Sequence, residues 1–487
     1  MKRASEAVVA ILAVAGIAAP AAAQSDPRLF GTVYNIGTVP PGSPFAVPGA
    51  VTGVQVGDGN VNTSSGPLTP GFLSGDVLLS NSQLNLFPGG TILPGFIAGP
   101  SSSSGLNVEL NFFGGTVSDF FAGSGSTVNI FDVSALNFVA DLASTVNISG
   151  GTVNSAFFSG TVNISGGSVG DFLLATGGST VNISGGTLGN FATSFGTVNI
   201  TGGTVGTNFD AFGIVNISGG SVGLGFDAFG TVNISDGSVG NNFSANSGSI
   251  VTISGGSVGN IFFANSGSTV NISDGSVGDS FRANSGATVT ISGGTLGNSV
   301  DVFSGATVTI SGGTLGNIVE VFPGGTVTIS GGTLGDGFFA DSLSTVNITG
   351  GTVGDFFLVS PVSTVNISGG SVGDDFDAFG TVNISGGSVG DDFDAFGTVN
   401  ISGGSFGLDF DANSGSRVNI FGTSFVLDGV ALTGLVPGQA VVITDRNVPL
   451  TGILADGTPF DFNLNSINSS GQDFFAPGAT LTVTLAG

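Results

Sequence analysis

The 487-residue sequence has no cysteine, no histidine and no tryptophan, and only one tyrosine and one methionine. Without cysteine there is no disulfide framework, so repeated strand pairing has to hold the chain together. Without histidine the usual general base near neutral pH is missing. Positive charge is almost as scarce, with six Lys and Arg against 32 Asp and Glu and a formal net charge of −26. Such a surface offers nothing to a phosphate backbone or an anionic lipid headgroup, which excludes nucleic acid and anionic membranes as partners. A membrane helix needs ~20 uninterrupted apolar residues. Beyond the N-terminus the best stretch, Phe425 to Val436, is broken by Asp428 and closed by Pro437.

What is present is glycine and phenylalanine, 88 and 42 residues, in a chain that is 40% hydrophobic. That is enough apolar material to bury, so low complexity here does not mean disorder. At the N-terminus Lys2 and Arg3 precede an apolar run, Val8 to Ala19, and Ala21-Ala22-Ala23 leads to Gln24. This is the layout of a secretory signal over residues 1–23, and it predicts a secreted or cell-surface protein, bacterial in character. Its removal takes away Lys2, Arg3 and Glu6, a net +1, and shifts the formal charge from −26 to −27.

The body of the chain repeats. The seventeen residues Thr364 to Gly380 recur unchanged as Thr381 to Gly397. With the Val of the T-V-(N/T)-I motif as position zero, the motif falls at 108, 128, 146, 162, 181, 198, 215, 232, 251, 270, 289, 308, 327, 346, 365, 382, 399 and 418. The spacing wanders between 16 and 20 at first and is 17 or 19 from Val181 onward. A fixed period in this range marks a solenoid. Two lengths differing by two residues suit strands, whose side chains alternate with period two.

Positions zero and two are apolar (Val365, Ile367) between Thr, Asn and Ser, the alternation of a half-buried strand. Gly-Gly or Asp-Gly follows and predicts a corner. Position seven is apolar again, and positions eleven and thirteen are usually Phe and Ala, as in Phe376 and Ala378. Where position eleven is Val300 or Val319, position thirteen becomes Val302 or Val321. Exchanged volume between columns indicates one shared interior. The expected fold is all-β: a parallel β-helix solenoid, right-handed in preference, with three short strands per rung. Regular repeats span 106–421, residues 24–105 form an N-terminal cap with degenerate first rungs, and 422–487 form a small C-terminal β cap that shields an open sheet end.

The T-V-N-I-S-G-G-(S/T)-(V/L)-G rung, from Leu106 to Phe421, resembles the repeats of filamentous-haemagglutinin and autotransporter passenger domains. The resemblance implies a right-handed β-helix with a structural or adhesive role outside the cell. The residues after Phe421 lack the strand pattern of an autotransporter membrane barrel.

Three features carry possible chemistry. Asp374, Asp375 and Asp377 recur as Asp391, Asp392 and Asp394 and then as Asp409 and Asp411. Stacked carboxylates about 4.8 Å apart must protonate, point away or share a cation, and Ca²⁺ suits such a ladder; the alternative is a solvated acidic face that resists aggregation. Paired carboxylates also serve glycoside cleavage, although equivalent columns repeat like groups where a catalytic site needs unlike ones. The outward pairs Thr288/Thr290, Thr307/Thr309 and Thr326/Thr328 form a flat array of the kind found on β-helical ice-binding proteins. Finally, Asn-Ile-Ser or Asn-Ile-Thr occurs in eleven rungs, for example at Asn182, Asn271 and Asn383. These are formal glycosylation sequons that read better as an Asn ladder. The sequence thus predicts a non-catalytic β-helical repeat protein with a structural or adhesive role. Extracellular polysaccharide or cell-surface components, and self-association, are its expected partners; a polysaccharide-active enzyme and an ice-binding protein are the alternatives. Arg417 and Arg446 are further places where specificity could reside.

Overall fold

The computed structural model describes residues 108–486 continuously, residues 82–92, and the short strands Val33–Ile36, Val51–Gly53, Gln55–Val56, Val77–Leu78 and Phe96–Ala98. The expected signal segment and most of the expected N-terminal cap lie outside the described residues. Among the described residues every regular element is a β-strand. The chain is a parallel β-solenoid made of two compact units, Met1–Gly206 and Thr207–Gly487.

In the first unit the T-V-N-I strands stack parallel and in register: Thr127–Ile130 on Thr145–Ile148, then on Thr161–Ile164, Thr180–Ile183 and Thr197–Ile200. The segment containing Leu84-Asn85-Leu86 joins the same stack, with Leu84 opposite Leu110 and Asn85 opposite Asn111. A rung here has three separate strands, such as Thr161–Ile164, Ser168–Val169 and Leu174–Ala175.

In the second unit the corner is built differently from the expected break. From Ile214–Val222 onward the first two strands run together, as in the nine-residue Thr364–Val372, followed by the three-residue Phe376–Ala378. The register shifts between Ile367 and Ser368 and again between Ser368 and Ser371, so the Gly pair forms a bulge inside a continuous ladder. The second glycine makes this possible. Gly370 has φ 80 and Gly387 φ 84, and a Cβ on Gly387 would lie 2.8 Å from the Gly370 carbonyl oxygen. Only glycine allows rungs to approach this closely at the bend.

The interior follows the apolar columns. Val365, Ile367, Phe376 and Ala378 are 0% exposed and Val372 2%. Phenylalanines at position eleven stack through the core, Phe209 on Phe226 at 5.1 Å and Phe357 on Phe376 at 4.6 Å between ring centroids. Val300 and Val319 replace them in two rungs, and Val302 and Val321 fill the space beside them, all buried. The exchange is not strict, because Phe357 is followed by Val359, also buried.

The C-terminal residues do more than leave the period. Arg417–Leu427 starts as a regular rung, then pairs antiparallel with Pro449–Leu454, which pairs in turn with Pro459–Asn463. The chain then returns to the solenoid. Phe474–Phe475 stacks on Phe410–Ala412, and Thr480–Leu485 stacks parallel on Arg417–Leu427 with Val418 opposite Leu481 and Ile420 opposite Val483. A further rung is therefore made from the sequence "TLTVTL", and Ala440–Ile443 covers its far edge in antiparallel pairing. Inside this excursion Arg446 donates to the carbonyl oxygens of Ile443, Asp445, Phe475 and Ala479. It is a clamp within the cap.

Candidate functional site

The eight acidic residues singled out in the sequence occupy three columns with three different surroundings. Position nine holds Asp374 and Asp391. The Oδ1 of Asp374 accepts the backbone N–H of Asp391 at 2.8 Å, and the Oδ1 of Asp391 accepts that of Leu408 at 2.7 Å. The same bond recurs through the second unit. Asn241, Asn260, Asp279, Asn298, Asn317, Asp336 and Asp355 each accept the N–H of the equivalent residue one rung on. A side-chain oxygen therefore bridges each of these pairs of rungs where the main chain turns out of the ladder, satisfying an N–H with no strand partner. This also explains the glycine at position eight. A Cβ on Gly373, Gly390 or Gly407 would overlap the Oδ1 of the bridging Asp. The recurrent Asn or Asp at position nine was visible in the sequence; its partner was not, because the acceptor serves the main chain of another rung.

Position ten holds Asp375, Asp392 and Asp409, with φ 59, 57 and 68. Every rung of this stack turns left-handed here, whatever the residue: Asn242, Ser280, Ile261 and Ile318 do so as well. Asp and Asn tolerate this conformation, and β-branched residues resist it. Asp409 is tied down by the N–H of Gly471, which reaches its Oδ2 at 2.6 Å.

Position twelve holds Asp377, Asp394 and Asp411, outward on the F-x-A strand and directly opposite one another in successive rungs. All three carboxyls are pushed up from the ordinary range. For Asp377 burial leads, followed by the charges of Asp394 and Asp375. For Asp394 burial also leads, against a hydrogen bond from Asn413. Asp411 reaches about 6, through burial first and then Asp394 and Asp409, partly offset by Asn468. Asp411 is only 9% exposed; Asn468 Nδ2 donates to its Oδ2 at 2.5 Å, while its Oδ1 is buried without a hydrogen-bond partner. Among the described residues no three acidic side chains group in a way that could hold a metal ion.

The remaining polar columns are also bonded along the stack. In the second unit Asn366, Asn383, Asn400 and Asn419 each donate Nδ2–H to the Oδ1 of the Asn one rung before, at 2.7–2.8 Å, and Thr482 Oγ1 ends the series on Asn419. Asn182 does the same to Asn163 in the first unit. The formal sequons at Asn182 and Asn383 are thus rungs of an Asn ladder, whereas Asn271 lies between Thr252 and Thr290, where the ladder is interrupted. Thr288, Thr307 and Thr326 align in register, as do Thr290, Thr309 and Thr328. Arg282 pairs with Asp301 at 3.2 Å and lies over the Phe263 ring. Outward phenylalanines stack as well, Phe379 on Phe396 at 4.3 Å and 4°. Rings stacked this way cover each other's faces and present their edges to solvent. No protein-family model matches the chain, and no curated protein or solved structure matches it.

Proposed function

We propose that this is an exported structural or adhesive scaffold that meets extracellular polysaccharide or cell-surface components with its outward faces, and that it is not an enzyme. The observation that carries this reading is the ladder at position nine. Asp374 and Asp391, two of the acidic residues singled out in the sequence, have an oxygen committed to main-chain N–H groups of the next rung. A side chain needed to close the backbone is poorly placed to move a proton or release a ligand. The signal-like N-terminus, the acidity and the repeat's resemblance to haemagglutinin-type passenger domains support export and surface presentation.

The test is a depletion assay of the full chain against a panel of polysaccharides, with and without calcium, scoring loss of protein from solution and release of sugar ends. Binding without release is expected. Release of sugar ends would make the raised carboxyls of Asp377, Asp394 and Asp411 an acid–base array and would replace this reading with a polysaccharide-active enzyme.

A second reading is favoured by the aligned Thr288/Thr307/Thr326 and Thr290/Thr309/Thr328 columns, which form a regular hydroxyl and methyl array suited to ordered water. Ice binding would show as thermal hysteresis in the purified protein, and its absence would leave these columns as a solvent-facing β surface.

A further inference from the structure

In a chain whose rungs are near copies, a rung that departs from the pattern against its own stability calls for an explanation. The corner before each T-V-N-I strand is a four-residue turn in the 19-residue rungs, and its third residue has positive φ. Glycine fills it at Gly248, Gly267, Gly286, Gly305 and Gly324, but two successive rungs place Leu343 and Val362 there, with φ 67 and 69. These residues suit the conformation poorly, since any side chain with a Cβ is strained at positive φ and the β-branched Val362 more so. They contribute little to packing in return: Leu343 is 64% exposed and Val362 73%, and a Cβ built on Gly248 at the equivalent corner meets nothing within 4 Å.

At the opposite corner of the short strand Phe356, with φ 63, is 58% exposed, one of several exposed apolar residues at this corner along with Ile261 and Ile318, and it adjoins the same two rungs. Between the corners, position twelve is Phe339 and then Leu358, both partly exposed. Strained, exposed apolar residues therefore collect on one face of two adjacent rungs. Strain of this kind persists only where the surrounding structure imposes it, and it tends to cluster at recognition sites.

The borders identify the partner. Along position twelve the in-register sequence is Glu320, Phe339, Leu358, Asp377, so the apolar pair is bracketed by carboxylates. Asp341 lies within the patch, and Asp374 and Asp375 stand exposed on the next rung. A second copy of this chain would bring the same acidic rim against itself. A neutral polysaccharide would gain nothing from the rim. We infer that the face formed by Phe339, Leu343, Phe356, Leu358 and Val362 docks a cationic amphipathic polypeptide, with apolar side chains seated on the patch and Lys or Arg along the carboxylate border. This deepens the adhesive reading and rests on it.

The test uses the full chain and a synthetic amphipathic peptide of leucine and lysine, followed by fluorescence anisotropy, with a leucine–glutamate peptide of the same pattern as control. The substitutions are Leu343→Gly with Val362→Gly, which restore the residue found at this corner elsewhere and leave the melting temperature equal or higher. The double variant is expected to bind the leucine–lysine peptide at least about tenfold more weakly than the parent. Added salt should weaken the parent's binding. Equal affinity of parent and variant would overturn the proposal by showing that charge alone attracts the peptide, as would equal binding of the leucine–glutamate peptide. A parent dimer in sedimentation that the variant loses would assign the patch to a second copy instead. Polysaccharide depletion by a parent that ignores the leucine–lysine peptide would refute the patch while leaving the adhesive reading in place.

Discussion

The carboxylate of Asp374 and the backbone N–H of Asp391 meet at 2.8 Å across two rungs. This contact joins the chain's most conspicuous acidic residues to its most monotonous feature, the repeat itself. Asp374→Ala removes the acceptor and leaves an N–H at the corner without its partner, which should lower stability by about 1 kcal/mol. Asp374→Asn keeps the acceptor, as Asn298 and Asn317 do in other rungs, and should be close to neutral. Gly390→Ala should be the most damaging of the three, because its Cβ would overlap Asp374 Oδ1 and press on the Gly373 carbonyl at 2.8 Å. Denaturant unfolding of the three variants gives the order directly.

The left-handed corner at position ten makes a prediction of opposite sign. Ile261 adopts φ 64 where the preceding rung has Asn242 at φ 62. Replacing Ile261 with Asn should stabilise the protein by about 1 kcal/mol through relief of the clash between Cβ and carbonyl. A melting temperature below the parent's would mean that the exposed isoleucine packs in a way the corner geometry does not suggest.

Two serines in one buried column should respond differently to the same change. The Ser249 hydroxyl is buried with no hydrogen-bond partner, and Ala287 and Ala306 hold the same post in later rungs. Ser363 donates its hydroxyl to the Ser360 carbonyl. Ser249→Ala should be neutral or stabilising, whereas Ser363→Ala should cost about 1 kcal/mol. Thermal melts of both variants, measured side by side, test the contrast.

Stability should also rise on mild acidification. Asp411 and Asp210 are pushed up from 3.8 to about 6, and Asp377 and Asp394 are raised as well, with burial the leading cause in each. A carboxyl whose folded value lies above its unfolded value binds its proton more tightly in the folded state. Its contribution is fully present below the unfolded value near 3.8 and is lost as pH rises through about 6. The melting temperature should therefore be higher at pH 4.5 than at pH 7, and Asp411→Asn should flatten that dependence. A protein most stable at pH 7 and above would contradict the assignment.

The columns that were legible in the sequence are those whose residue type follows from burial. Val365, Ile367, Phe376 and Ala378 announce an interior because only an interior repeats apolar residues at fixed places. The left-handed column was hidden because Ile261, Phe356 and Asp375 share a backbone conformation while sharing no chemistry. The final rung was hidden because "TLTVTL" lacks the N-I-S-G-G signature and follows a long excursion, so local pattern could not show which strand it would stack on. The Asp columns were recognised as stacked, but the sequence could not distinguish the one bonded to main chain at Asp374 from the one facing its own copies at Asp377.

Asp374 and Asp391 hold successive rungs together through main-chain N–H groups, and this bond is what the stack requires of them. The most direct measurement is the melting temperature of the parent and of Asp374→Asn with Asp391→Asn, each in calcium and in chelator. No calcium dependence is expected in either protein, and the Asn variant should be as stable as the parent. A calcium-dependent rise in the parent that disappears in the variant would contradict this and would make the ladder a cation site.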